Sequence, residues 1–197
     1  MMVECSSPEL KLIADVVAAS QVVTIRYRGR LYRYIVNPIS TGLTVIEPKV
    51  LRAIVKAILD RVDIRDVDYI LTFEAMGIHI ATALSLEVNI PVVIAKKRDY
   101  TGNMIPIYRG EGAETLYLHP EIRGSKVIIV DSIISNGTTI SRAIKVLEEN
   151  NVTIKDIIVV IERLDREGVK KVKNETGYDV KSLVKISVSD KVEIVSC

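Results

Sequence analysis

The sequence predicts an α/β fold, a parallel sheet flanked by helices with a small cap built from both chain ends. Three observations carry this. Residues 90–95, 126–130 and 154–161 are apolar almost throughout, as strands buried on both faces of a sheet must be. Between them lie segments whose apolar residues recur at helical spacing, and strand–helix–strand alternation implies βαβ units. The chain has 197 residues, 48% of them apolar and 26% charged, which suits one folded domain.

Each element follows in order. Residues 7–19 open with Ser7 and Pro8 and carry Leu10, Leu12, Ile13, Val16 and Val17 near a 3.6 period, which predicts a short helix. Residues 22–36 are two β-rich runs hinged near Gly29, a hairpin pattern in which Arg26, Arg28 and Arg30 alternate along one solvated face. Val50, Leu51, Ile54, Val55, Ile58 and Leu59 make 47–62 an amphipathic helix. The alternation then becomes regular: strand 67–73, helix 77–87, strand 90–95, a polar Gly-containing stretch 96–112, strand 126–130, helix 138–149 and strand 154–161. Residues 169–175 predict a last helix, followed by short apolar runs at 180–188 and 192–195. The reading is one domain over 1–197, with the core at about 45–160 and the cap at about 20–40 and 165–197.

Composition removes several function classes. A formal net charge of +2 argues against a nucleic-acid partner bound by global electrostatics. No apolar run approaches the ~18 residues of a membrane span, and the N-terminus lacks the pattern of a signal peptide, so the expectation is a cytoplasmic protein with no membrane partner. Cys5 and Cys197 stand near opposite ends without Cys-x-x-Cys spacing; they are expected to be incidental, neither a disulfide nor a zinc site. His79 and His119 have no second ligand at metal spacing, and Glu162 with Arg163 is expected to be a structural pair.

In open α/β sheets a ligand lies beyond the carboxyl ends of the strands, so the strand-to-helix junctions carry the functional signal. The most informative runs from Val127 to Thr139. Asp131 follows a buried strand, and the small polar residues Ser135, Asn136, Gly137, Thr138 and Thr139 open a helix. Such a loop points backbone N–H groups and the positive end of a helix dipole at one place, which suits a phosphate, with Asp131 beside it to accept from sugar hydroxyls. The same residue types also cap ordinary helices. Neither a P-loop nor a dinucleotide fingerprint is present.

That segment resembles the phosphoribosyl pyrophosphate (PRPP) motif of type I phosphoribosyltransferases. Glu74-Ala75-Met76-Gly77 and the strand end Lys96-Lys97-Arg98 resemble the pyrophosphate loop and basic strand end of adenine-type enzymes. Asn37-Pro38-Ile39-Ser40, Glu47-Pro48-Lys49, Leu116-Tyr117-Leu118 and Gly177-Tyr178 are similar to archaeal hypoxanthine and adenine phosphoribosyltransferases, so the resemblance covers about residues 22–190. It implies a purine phosphoribosyltransferase of purine salvage that uses PRPP, a purine base and Mg²⁺, and a homodimer.

Carried across, Asp131 and Ser135 are the catalytic candidates. Asp131 and Ser132 would face the ribose, with Asp131 a possible Mg²⁺ ligand through Mg-PRPP, and Ser135 to Thr139 would hold the 5′-phosphate. Ala75, Met76, Gly77, Lys96, Lys97 and Arg98 would hold pyrophosphate, and Ile133 and Arg33 the base. The stretch 99–113, with Gly102, Gly110 and Gly112, matches a mobile loop that closes over substrate. Tyr27, Tyr32, Tyr34, Tyr100, Tyr108 and Tyr117 fall in the cap and this loop, where a purine would find a stacking partner. The sequence departs from the family at Ser132, where a second acid is usual, at Thr138 in place of a Gly, and at Met76 in place of an Arg. The small neutral Ser135 implies adenine over hypoxanthine or guanine. The alternative is a non-catalytic regulator that senses PRPP or a purine.

Overall fold

The computed structural model describes residues 4–27, 30–110 and 113–197. Its elements in chain order are α1 (Pro8–Ala18), β1 (Gln21–Tyr27), β2 (Arg30–Val36), α2 (Pro48–Leu59), β3 (Tyr69–Phe73), α3 (Ile78–Val88), β4 (Val92–Ala95), β5 (Ile105–Ile107), β6 (Leu116–Leu118), β7 (Lys126–Ile134), α4 (Thr138–Glu149), β8 (Thr153–Arg163), α5 (Gly168–Thr176), β9 (Lys181–Val188) and β10 (Val192–Ser196). Arg28 and Gly29 of the expected hairpin tip and Gly112 of the expected loop lie outside the described residues.

Six strands form one sheet in the order β10-β9-β8-β7-β3-β4. The pairs from β4 through β9 are parallel, while β10 returns antiparallel on β9, so the sheet is mixed rather than wholly parallel. Strand alternation explains why the central runs are apolar at every position. Ile128, Val130, Ile158 and Val160 face a core closed by α1, α2 and α3. Val127, Ile129, Ile157 and Val159 face a second core closed by α4, α5 and the β5–β6 hairpin. Full burial of each such side chain contributes about 1.5–3 kcal/mol, twice as often per strand as in a one-sided sheet.

The two segments expected in the cap are placed differently. The antiparallel β1–β2 pair stands apart as its own two-stranded sheet, from Gln21↔Val36 to Tyr27↔Arg30. Residues 181–196, by contrast, extend the main sheet: β9 pairs with β8 from Ile158↔Lys181 to Arg163↔Ile186. Local alternation identifies a strand but not the edge it joins, and that edge is chosen by the exposed β8 ladder. The stretch 96–112 also holds structure that its polarity hid. Ile105 and Ile107 of β5 and Leu116 and Leu118 of β6 are buried, and Lys96 and Tyr117 exchange backbone hydrogen bonds of 2.9 and 2.8 Å that tie this hairpin to the end of β4. Three-residue strands are too short for a periodicity signal.

Ser7 caps α1, its Oγ accepting the Leu10 N–H at 3.2 Å, with Pro8 in the first turn. The helix lies against α2, β9 and β10. This brings the chain ends together, and Cys5 and Cys197 are disulfide-bonded with Cα atoms 5.0 Å apart, contrary to the expectation that they are incidental. A separation of 192 residues in sequence carries no information about distance in space. Among the described residues no helix is long and apolar enough to cross a membrane.

Candidate active site

β3 and β7 are parallel neighbours, so the turn that leaves β3 and the loop that leaves β7 open side by side at the carboxyl edge of the sheet. Between them is a cavity of about 170 Å³. Asp131 and Ile133 border it from β7, Glu74, Ala75 and Met76 from the β3–α3 turn, and Thr139 from the first turn of α4. A larger groove of about 490 Å³ lies between α2 and α3, lined by Leu51, Val55, Leu59 and Ala83, and contains none of the motif residues.

Asp131 sits inside β7, which runs on to Ile134, beyond its expected end at 130. The Ser132 N–H donates to Asp131 Oδ1 at 2.7 Å. Burial at the cavity floor raises the Asp131 pKa to about 7, and the hydrogen bond from Ser132 recovers only part of that shift. Ser132, the next residue, borders the same cavity. Its side chain is fully buried and its hydroxyl has no hydrogen-bond partner, a polar group left unsatisfied beside Asp131.

The β3–α3 turn requires glycine. A Cβ on Gly77 would lie 2.0 Å from Thr72 Oγ1 and 3.1 Å from Asp131 Oδ1, so α3 can begin this close to β7 only without a side chain. The Glu74–Ala75 peptide is cis. Glu74 Oε2 accepts the Lys97 N–H at 3.0 Å, and this bond holds the carboxyl below the usual range. Lys96 Nζ lies 3.5 Å from the same oxygen, and Lys97 Nζ lies 3.2 Å from Glu114 Oε2. Both lysines flank the cavity through these carboxylates instead of lining it, and Arg98 is exposed outside it.

At the β7–α4 loop, Gly137 has φ +71°, and a Cβ there would stand 2.4 Å from the Gly168 carbonyl oxygen. A Cβ on Gly168 would in turn stand 2.2 Å from the Ser135 carbonyl oxygen. The start of α5 is thus pressed against the loop, and the two glycines make the contact possible. Asn136 Oδ1 accepts the Thr138 N–H at 3.2 Å, and Lys171 of α5 donates to Thr138 Oγ1 at 2.8 Å. The N–H groups of the first turn of α4 have no partners within the helix and point at the loop.

The hairpin covers this end. Tyr32 Oη and Ser135 Oγ are 3.0 Å apart, and the guanidinium carbons of Arg163 and Arg166 lie 5.6 and 4.6 Å from the Tyr32 ring centroid. Arg163 is 2% exposed; it donates to the Arg33 carbonyl at 2.7 Å and to Asp165 at 2.7 Å, clamping β2 onto the end of β8. Glu162 accepts from Ser182 at 2.6 Å and lies 3.8 Å from Lys185, so the expected Glu162–Arg163 pair is two separate anchors. The Arg33 side chain is not in the cavity: its guanidinium lies 3.6 Å from Asp190. Tyr32 is joined to the Ser135–Thr139 loop, while Tyr100 and Tyr108 are largely exposed.

Sequence reasoning missed Gly168, Lys171 and Arg109. Gly168 and Lys171 come from the chain's far end, and only the docking of α5 on α4 shows their place. Arg109 follows β5 and borders the cavity with its Nη1 3.5 Å from Thr139 Oγ1; Ile107, two residues before it and buried, marks the strand that carries it.

An α/β sheet that presents a carboxylate, a helix N-terminus and a glycine-dependent turn at one carboxyl edge is an arrangement able to receive a sugar phosphate. A family model for the phosphoribosyl transferase domain matches residues 44–196. The chain is 42% identical over 193 residues to a hypoxanthine/guanine phosphoribosyltransferase of Methanocaldococcus sp. strain FS406-22, with 96% of each chain covered. It is 45% identical over 162 residues to a protein of that name from Methanocaldococcus infernus, covering 81% of this chain and 87% of the relative. A crystal structure of adenine phosphoribosyltransferase from Trypanosoma brucei, in complex with AMP, pyrophosphate and ribose-5-phosphate, superposes with a TM-score of 0.74 at 18% identity, covering 93% of this chain and 82% of that one. The chain belongs to the phosphoribosyltransferase family, and its fold is that of the type I enzymes.

Proposed function

We propose that this enzyme transfers the phosphoribosyl group of PRPP to a 6-oxopurine, hypoxanthine or guanine, releasing pyrophosphate. The observation that carries the reading is the convergence on one cavity of Asp131, Ala75 and Met76 of the turn that Gly77 closes against Asp131, and Thr139 at the end of the Ser135–Thr139 loop. The base class is supported by relatives above 40% identity that bear the hypoxanthine/guanine name, and it replaces the adenine preference that Ser135 alone implies.

In this reaction a ring nitrogen of the base bonds to C1′ as the bond from C1′ to the pyrophosphate oxygen breaks, and the electron pair leaves with pyrophosphate. The base proton passes to solvent. The ribose ring becomes cationic on the way, so an ionised Asp131 beside it stabilises the transition state more than the ground state. The α4 N-terminus and the loop before it hold the 5′-phosphate, the Ala75–Gly77 turn offers backbone groups to pyrophosphate, and Ile133 supplies an apolar surface for the base.

Among the described residues no three metal-ligating side chains cluster. Mg²⁺ commonly binds through one or two carboxylates together with substrate phosphates, and the oxygen of Asp131 that does not accept from Ser132 fits that role. The ion would neutralise charge on the leaving pyrophosphate. The expected homodimer and cytoplasmic setting belong to the same proposal, and light scattering checks the first.

The test is nucleotide formation from PRPP and Mg²⁺ with hypoxanthine, guanine or adenine supplied singly. Hypoxanthine and guanine should be converted with higher kcat/KM than adenine, and the reverse order would restore the adenine reading. PRPP binding with no product from any base would instead identify a sensor.

A further inference from the structure

The residues that border the cavity include two carboxylates, Glu74 and Asp131, and one cation, Arg109. Arg109 stands at the end of β5, brought over α4 by the hairpin whose Ile105, Ile107, Leu116 and Leu118 are buried in the core, so its backbone is anchored on both sides. Its side chain is 23% exposed, one short bond holds Nε, and the contacts of the two terminal nitrogens are long. Nε donates to the Glu114 carbonyl at 2.6 Å, Nη1 reaches Thr139 Oγ1 at 3.5 Å, and Nη2 lies 3.8 Å from Glu114 Oε2. The same Glu114 oxygen lies 3.2 Å from Lys97 Nζ. Two cations from different segments therefore converge on one carboxylate, and Glu114 is itself mostly exposed, at 61% of its side chain.

An exposed ion pair of this kind is worth about 0–1 kcal/mol, so a multiply charged ligand can displace it. Arginine presents paired N–H donors that match phosphoryl oxygens, and in a partly closed cavity such bonds are stronger than in water. Met76 in the β3–α3 turn supplies no charge, and Lys96 and Lys97 do not line the cavity.

We propose that Arg109 is a pyrophosphate-binding residue of this enzyme, and that Glu114 occupies Arg109 and Lys97 until the pyrophosphate group takes its place. The proposal rests on the phosphoribosyltransferase reading of the cavity and adds a residue that the family resemblance does not assign. Arg109 then acts on the leaving group, supplying countercharge where the turn provides only backbone.

Isothermal titration of the full chain with inorganic pyrophosphate plus Mg²⁺, and separately with ribose 5-phosphate, tests it. Arg109→Gln should weaken pyrophosphate binding at least tenfold, the loss expected of a charge-assisted hydrogen bond, and leave ribose 5-phosphate binding within twofold. Arg109→Lys should recover part of the loss, and Glu114→Gln should tighten pyrophosphate binding severalfold by freeing both cations. Matching thermal melts for the three variants establish that the fold is intact. Unchanged pyrophosphate affinity in Arg109→Gln, or a loss confined to ribose 5-phosphate, overturns the assignment. Unchanged or weaker binding in Glu114→Gln overturns the exchange. A wild-type chain that binds neither ligand would refute the reading of the cavity itself, which separates that failure from one of Arg109 alone.

Discussion

Replacing Asp131 with Asn should stabilise the ligand-free protein at neutral and alkaline pH while damaging its function. The folded protein holds this carboxyl at a pKa of about 7 against an ordinary value of 3.8, because the charged form is desolvated at the cavity floor. A group whose folded pKa is raised binds more protons folded than unfolded. Its favourable contribution is complete below the unfolded value and disappears as pH rises through the folded one. Across pH 5 to 8 the two values imply a loss of roughly 2.5 kcal/mol, at 1.36 kcal/mol per pKa unit. Water reaching the half-buried carboxylate reduces this to about 1–2 kcal/mol. For a chain of this size each kcal/mol moves Tm by about 2–4 °C. Scanning calorimetry of wild type and Asp131→Asn at pH 5, 6, 7 and 8 should therefore show curves that diverge with pH, the variant ahead by about 2–8 °C more at pH 8 than at pH 5. Parallel curves would refute the claim that Asp131 titrates near neutrality. The corollary is functional: substrate binding that needs the ionised form should strengthen from pH 6 to 8 in wild type and lose that dependence in Asp131→Asn.

Other positions give separable outcomes. Gly77→Ala forces a methyl to within 2.0 Å of Thr72 Oγ1 and should cost a few kcal/mol by urea denaturation, together with loss of pyrophosphate binding by titration calorimetry. Arg163→Ala removes a buried cation from Asp165 and from the Arg33 carbonyl, and should destabilise by about 3–5 kcal/mol with faster proteolysis in the β1–β2 hairpin. Cys5→Ser opens the link between the chain ends; chain entropy for so long a loop sets an upper value of about 5 kcal/mol, read as the difference in urea midpoint with and without reductant, which should vanish in the variant.

Much of the fold is legible in local pattern because each signal is local in its physics. A run such as Val127 to Val130, apolar at every position, is the pattern of a strand covered on both faces, and cores lie on either side of the sheet. Ser7-Pro8 begins a helix because side-chain capping and a fixed φ act within one turn. The loop from Ser135 to Gly137 that opens α4 is recognisable for the same reason, since small polar residues and a glycine at positive φ act within one turn. Asp131 and Ile133 follow from their place in that strand.

What only the tertiary structure decides is which distant pieces meet. The partner of β9 is an edge, not a pattern, so residues 181–196 join the main sheet instead of a cap. Gly168 matters because α5 docks on the Ser135–Gly137 loop, Arg33 turns towards Asp190, and Cys5 meets Cys197 because α1 lies against the last two strands. Ser132 shows the same limit within a single strand: it borders the cavity beside Asp131 yet is fully buried, and its burial is set by what packs over the strand. Local sequence determines most of the elements and the small polar loop that opens α4. The charge placed opposite that loop, Arg109 on a hairpin too short to show a period, is set by packing across the chain.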